Sequence, residues 1–280
     1  MKISVLMATY AGDCPKLLCE SLESVEQQTL LPYEVIIVEA GPLTESQEKV
    51  ISNKAEKLRI QRISQTKNRG LGAALAKGLT NASSTWVARL DADDVAFKDR
   101  LQRQAEKLTE NPETDILGGA AVEIDSAGNT GRVRTMPLTH KEIAKKIWAC
   151  PIIHPSVIFR SDKILEIGNY NQNLPRGQDY DLWFRALHNG LKFANTAEPV
   201  IYYRFSRDNI RRQPPRECFK QGVIGWHGCR QLRLPAWQHI AVWYPFFRSL
   251  LPLPIAEAAY RVSQRIDPRF SHTTKEVHKD

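Results

Sequence analysis

Near the N-terminus, short unbroken apolar runs alternate with longer stretches in which apolar positions recur every three or four residues. "ISVLMA" (3–8), "YEVIIVEAG" (33–41), "LRIQRIS" (58–64) and "TWVARL" (85–90) have the length and content of buried strands. Between the first two, Leu17, Leu18, Leu22 and Val25 share one face, which predicts a helix with Asp13 as its cap and Pro15 in its first turn. "ESQEKVISNKAEK" (45–57) predicts a polar-faced helix, and "RGLGAALAKGLTNA" (69–82) a glycine-punctuated one. Strand and helix patterns alternate over about the first 110 residues, which implies βαβ units and a mostly parallel sheet.

Beyond that point the rhythm changes. "TDILGGAAVEIDSAGNTGRVR" (114–134) predicts a hairpin turning at Ser-Ala-Gly-Asn. "LTHKEIAKKIWA" follows as a helix capped by Thr139, "IIHPSVIFR" (152–160) as a strand, and "SDKILEIG" as a short helix closed by Gly168. "DYDLWFRALHNG" reads as a helix closed by Gly190, and "EPVIYYRF" (198–205) as the last strand. From about residue 215 periodicity is lost and Trp, Pro and Arg accumulate. The chain therefore divides into residues 1–110, 111–214 and 215–280, without internal repeats or low-complexity tracts.

Composition is that of a globular protein, with 42% hydrophobic and 25% charged residues among 280. "MKISVLMATYAGD" lacks the apolar length and cleavage site of a signal peptide and reads as the first strand. Five scattered cysteines without CxxC spacing argue for a reducing compartment and against a disulfide or zinc framework. Charge changes the picture more. Of the net +8, residues 1–203 contribute nothing, with 25 Lys+Arg against 25 Asp+Glu, whereas residues 204–280 carry 14 against 6. A basic segment of this kind favours an anionic surface such as nucleic acid or a cytoplasmic leaflet. Its apolar stretch is interrupted by Pro245, Arg248, Pro252, Pro254 and Glu257, short of the roughly 18–20 residues that cross a bilayer. Trp237, Trp243, Tyr244, Phe246 and Phe247 beside Arg230, Arg233, Arg248, Arg261 and Arg265 suit an interfacial segment; the alternative is an irregular subdomain packing its aromatics on the body.

Ligands of an open α/β sheet bind beyond the carboxyl ends of its strands. Those ends place Thr9-Tyr10, Glu39-Ala40-Gly41, Gln65–Arg69 and Asp91–Asp94 at one edge. Such a set suits a nucleotide, with Glu39 for a base or ribose, Arg69 for phosphate, and Asp91 and Asp93 for a hard divalent cation, Mg²⁺ or Mn²⁺. The alternative for the acidic triplet is a solvated turn. There is no GxxxxGK[ST] loop, and "NRGLGAALAKG" lacks GxGxxG spacing. Asp179, before the helix "YDLWFRAL", is either an N-cap or a general base for a hydroxyl.

The order of "ISVLMATY", "SLESVEQQTLLPYEVIIVEAG", "NRGLGAALAKGL", "RLDADD", "HPSVIFR" and "GQDYDLWFRAL", over about residues 3–205, resembles family 2 inverting glycosyltransferases of the GT-A fold, particularly bacterial enzymes of surface polysaccharide synthesis. The resemblance implies an α/β fold, with a Rossmann-like, mostly parallel central sheet and a small mixed second sheet, followed by a helical or irregular membrane-associating tail. It implies that residues 1–110 bind the nucleotide sugar and 111–214 the acceptor. It assigns Thr9, Tyr10, Glu39, Arg69 and Asp91 to the nucleotide, Asp93 with Asp91 to Mn²⁺ or Mg²⁺, and Asp179 to the catalytic base. Asp94, His154, Gln178 and Trp183 are candidate supports or acceptor contacts, His154 being otherwise a core histidine bonded to backbone. Two departures stand out: Val38-Glu39-Ala40-Gly41-Pro42 replaces the family's Val-Asp-Asp-Gly-Ser, and Gln178-Asp179 its Glu-Asp.

The Asp-x-Asp-Asp turn, the length and the basic aromatic tail look most like O-antigen enzymes of lipopolysaccharide synthesis. That likeness implies transfer of galactose or glucose from a UDP-sugar to GlcNAc-diphosphoundecaprenol in a β linkage, β-1,3 favoured, at the cytoplasmic face of a bacterial inner membrane with anionic lipid and without nucleic acid. Alternatives are a transferase of exopolysaccharide or lipooligosaccharide core assembly, a sugar-phosphate nucleotidyltransferase, and a non-enzymatic membrane-surface binding protein.

Overall fold

The computed structural model describes residues 1–205, 214–252, 255, 256, 258 and 259. Four parallel strands form its first half: β1 (Ile3–Thr9), β2 (Glu34–Glu39), β3 (Ile60–Ser64) and β4 (Trp86–Arg89) lie in the order β3-β2-β1-β4. Their connections are α1 (Pro15–Glu26), α2 (Glu45–Lys54) and α3 (Leu71–Thr80). The alternation of β1 and β2 explains the layers. Val5, Met7, Val35 and Ile37 pack on one face with Leu18 and Leu22 of α1, whereas Leu6, Ile36 and Val38 pack on the other with Ala74, Leu75 and Leu79 of α3. Residues buried on both faces produce the unbroken apolar runs of the sequence.

The mixed half continues this sheet. β4 pairs antiparallel with β8 (Ile158–Arg160), and the order runs on through β6 (Ile116–Ile124) and β9 (Phe193–Arg204) to β5 (Val95–Ala96). β7 (Thr130–Arg134) pairs with β6 as the expected hairpin, whose turn is closed on the Asp125 carboxylate by the N–H groups of Ala127 and Asn129. α4 (Arg100–Glu110), unforeseen in the sequence, lays Leu101, Ala105 and Leu108 on the α1 face. Thr139 forms the expected capping box of α5 (His140–Lys146), and α6 (Ser161–Glu166) and α7 (Gln178–His188) cover the α3 face.

Three local expectations change. Asp13 does not cap α1; Cys14 takes that position, and the Asp13 carboxylate turns back to accept from Thr9 Oγ1 at 3.0 Å and Tyr10 N at 3.1 Å. The strand expected over 152–160 is confined to its last three residues, because Pro155 sits in a 3₁₀ turn over His154–Ser156. From residue 215, where the sequence loses its periodicity, the described residues form three helices: α8 (Pro215–Gln231), α9 (Ala236–Ala241) and α10 (Tyr244–Ser249). The period of α8 was hidden because its buried face is built from Cys218, Gly222, Gly225, Gly228 and Cys229 instead of large apolar residues. A Cβ at Gly228 would stand 2.2 Å from the Phe184 ring, so glycine lets α8 lie directly on α7. No helix among the described residues is long and apolar enough to cross a membrane. Arg261 and Arg265 lie outside the described residues.

Candidate active site

The parallel strands deliver their carboxyl ends to one edge, and the acidic turn forms where β4 stops. Asp94 N–H bonds to Asp91 O at 3.3 Å, and Ser21 of α1 ties the turn down through its hydroxyl to Asp91 O at 2.9 Å. Carboxylate oxygens of Asp91, Asp93 and Asp94 lie within 4.8 Å of one another. Asp91 is half-buried, Asp93 exposed and Asp94 buried. Partial desolvation and the Asp91 and Asp13 carboxylates push Asp93 up to about 6. Burial, Asp91 and Asp93 raise Asp94 well above the ordinary carboxylate range.

Two arginines hold these charges together. Arg89, only 1% exposed, binds Asp91 Oδ1 through Nη2 at 2.5 Å, while its Nε and Nη1 have no hydrogen-bond partner. Its charge opposes the proton affinity of Asp93, Asp94 and Asp179 alike. Arg204 ends β9 and clamps the turn from outside. Its backbone N–H donates to Asp94 Oδ1 at 2.7 Å, and its guanidinium to Asp93 O at 2.8 Å, Asp125 O at 2.9 Å and Glu20 Oε2 at 3.1 Å. Asp94 Oδ2 remains buried without a partner. An all-oxygen set with one exposed acid, one half-buried acid and an unsatisfied buried oxygen behind them fits a hard divalent cation held mainly by Asp93 and Asp91.

The end of β1 forms the adjoining wall. Thr9 is buried with its hydroxyl on Asp13, and the exposed Tyr10 turns its ring over Gly12. Gln47 of α2 fixes this corner by donating to Tyr10 O and Asp13 O at 2.8 and 2.9 Å. Asp13, unsuspected as a site residue, is raised by desolvation and by Asp91. Glu39 ends β2 and is 4% exposed; Arg62 Nε and Ser64 Oγ of β3 each bind it at 2.5 Å, and Arg62 also reaches Glu48. The carboxylate that the sequence marks for a base thus already has a cation beside it.

Arg69 is exposed in the loop between β3 and α3. A Cβ at Gly72 would meet Leu174 O at 2.5 Å and Asn171 O at 2.6 Å, so this glycine lets the start of α3 touch the loop that leads into α7. Asp179 is the second residue of α7, and the cap position before the helix belongs to Gly177. Desolvation raises its proton affinity, offset by the N–H groups of Tyr180 and Asp179 and by Arg89. Asp91 raises Asp13, Asp93, Asp94 and Asp179 together, which gathers residues 166 positions apart around one carboxylate. The remaining candidates stand behind this wall. Gln178 and Trp183 are buried, and His154 is a core residue whose Nε2 bonds the Tyr170 hydroxyl at 2.9 Å rather than backbone. Burial and Arg89 hold His154 well below the usual histidine range.

Residues 4–168 match the family described as Glycosyl transferase family 2. The chain belongs to that family. Relatives of this family 2 glycosyltransferase include the amylovoran biosynthesis glycosyltransferase AmsE of Erwinia amylovora, 33% identical over 75% of this chain and 79% of AmsE. The UDP-Gal:alpha-D-GlcNAc-diphosphoundecaprenol beta-1,3-galactosyltransferase of Escherichia coli is 33% identical over 76% of this chain and 77% of its own. Among solved structures, S. aureus TarS 1-349 in complex with UDP-GlcNAc superposes with a TM-score of 0.68 at 19% identity, covering 89% of this chain and 72% of that one. The mannosyltransferase PcManGT from Pyrobaculum calidifontis, in complex with GDP-Man and Mn2+, gives 0.59 at 17% identity over 94% and 75%. These likenesses carry the GT-A fold. Asp179, the clamp Arg204 and α8 all lie beyond the matched segment.

Proposed function

We propose that this family 2 glycosyltransferase moves galactose or glucose from a UDP-sugar to GlcNAc-diphosphoundecaprenol, forming a β linkage (β-1,3 favoured) at the cytoplasmic face of a bacterial inner membrane. The observation that supports it is the meeting of the Asp91–Asp94 turn with Asp179 around one buried guanidinium, Arg89, in a relative of an enzyme named for this donor and acceptor. Residues 1–110 would hold the donor and 111–214 the acceptor.

Thr9 and Tyr10 flank the nucleotide, Glu39 with Arg62 meets the base, and Asp91 meets the ribose. Arg69 faces the diphosphate. A Mn²⁺ or Mg²⁺ ion on Asp93 and Asp91 would supply neutralisation of the charge left on the departing diphosphate. Asp179 accepts the proton of the acceptor hydroxyl as its oxygen bonds to the anomeric carbon. The bond from that carbon to the diphosphate oxygen breaks, its electron pair leaving with UDP. Attack from the face opposite the leaving group inverts an α donor to a β product. Desolvation suits Asp179 to this work, because a carboxylate with raised proton affinity is a stronger base.

The test is a donor screen with Mn²⁺ and a synthetic GlcNAc-diphosphate lipid, with the product identified by mass and linkage. A hexosyl product from a UDP donor is expected, and Asp179→Asn should lower its rate by at least about 10²-fold. Full activity in Asp179→Asn removes the mechanism, and transfer only from another nucleotide sugar removes the donor assignment.

A further inference from the structure

Large exposed apolar side chains are not scattered evenly. Of the fourteen among the described residues, nine belong to the short stretch from Phe219 to Ile255. They fall into two stripes. On α8, Phe219, Val223, Trp226 and Arg230 recur at i, i+4, i+7 and i+11, beside the buried face of Cys218, Gly222, Gly225 and Cys229. On α9 and α10, joined through αR residues at Val242 and Trp243, Ile240, Tyr244, Phe247 and Leu251 recur at the same spacing. Ile240 is 70% and Phe247 59% exposed. The two stripes adjoin: the Phe219 ring meets Trp243 at a tilt and Phe246 edge-on, and Trp226 meets His239 edge-on. Trp243 and Phe246, which the sequence offers as interfacial rings, are thus the half-buried seam, and the outer surface belongs to their neighbours.

A contiguous apolar surface of this kind is held by soluble monomers only for a partner. The charges beside it say which. Between residues 214 and 252 five cations face a single anion, Glu217, and Arg216, Lys220, Arg230 and Arg233 are exposed. We infer that α8–α10 form a rigid docking face for an acidic phospholipid bilayer, with Ile240, Phe247 and Trp226 entering the headgroup boundary and the arginines resting on lipid phosphates. This rests on the lipid-linked acceptor proposed above and names the surface by which that site meets its substrate. Because α8 lies on α7 without intervening side chains at Gly228, the membrane plane and the helix whose first turn holds Asp179 are fixed relative to each other. A diphosphate-linked sugar projecting from the bilayer is then presented at a set height.

The full-length protein is sedimented with vesicles of phosphatidylcholine alone and with phosphatidylglycerol added, while turnover is measured on both vesicle-embedded and soluble acceptor. Binding should require the anionic lipid and weaken with salt. Ile240→Ser with Phe247→Ser should weaken it by at least about tenfold, and Arg230→Gln with Arg233→Gln by a similar factor. In both double variants the melting temperature and turnover on the soluble acceptor should be unchanged, because these side chains are exposed. Turnover on the embedded acceptor should fall. Equal binding by wild type and variants, no preference for anionic vesicles, or a concentration-dependent dimer abolished by the apolar double variant would each overturn the docking face. Loss of the transferase reading shows separately, as absent hexosyl transfer to the soluble acceptor in the wild type.

Discussion

Arg89 is the fully buried cation paired directly with the acidic turn through Asp91, with the equally buried Arg100 interacting with Asp94. A buried charge that loses its partner is strained, and a partner that loses its charge is strained in turn. Arg89→Met should therefore destabilise the protein by about 3 kcal/mol or more, read as a lower melting temperature. It should also change catalysis in a direction that packing alone does not dictate. Without the guanidinium, Asp179 holds its proton more tightly, so the acid limb of the pH–rate profile should move to higher pH. On the proposed role of Asp179 as base, the wild-type limb should itself lie above the ordinary carboxylate value of 3.8, because desolvation raises its proton affinity. At Asp93 the sign works against stability. Its folded value of about 6 exceeds 3.8, so the charged form costs stability in full above about 6 and not at all below 3.8. Asp93→Asn should stabilise the metal-free protein at pH 8, with the gain vanishing as pH falls through that window; a gain that persists at pH 4 would contradict the assignment.

Among the elements, Gly70 and Gly72 set the start of α3, just after Arg69, against the loop before α7 and Gln178 at its first position. Gly72→Ala improves helix propensity by about 1 kcal/mol, yet its Cβ would press on two carbonyl oxygens. The variant should lose stability despite the better helix former and lose kcat/KM for the donor, both measurable on the same preparation. The alternation of β1 and β2 made the sheet and its helices legible in the sequence, and the Thr139 and Asp125 signals made one cap and one turn legible. The strand ends then pointed to Thr9, Glu39 and Asp91. What stayed hidden has physical reasons. Leu101, Ala105 and Leu108 of α4 recur at clear helical spacing but form a thin apolar stripe in an otherwise polar and charged segment, and α8 carries its period in glycines. Arg204 joins the site through a contact across 184 positions that no local pattern records, whereas Arg89 and Asp13 join it within a turn, through Asp91 and Thr9. His154 found a tyrosine hydroxyl instead of backbone, since Tyr170 arrives from a different loop.

Over the whole molecule, acids from the end of β1, the turn after β4 and the start of α7 converge on a sheet that is parallel on one side and mixed on the other. Bringing like charges together costs stability that a counter-ion returns. Mn²⁺ should raise the melting temperature more at pH 7.5 than at pH 5, where protons on Asp93 compete with the metal, and UDP should add to the shift. A metal effect independent of pH would place the ion elsewhere. The clamp at Arg204 has a practical corollary for anyone trimming this protein. Its recognisable family segment closes at residue 168, whereas the residue that staples α1, the acidic turn and the β6–β7 hairpin together arrives thirty-six positions later. An excised fragment bounded by kinship alone would keep the acidic turn and lose both its fastening and Asp179.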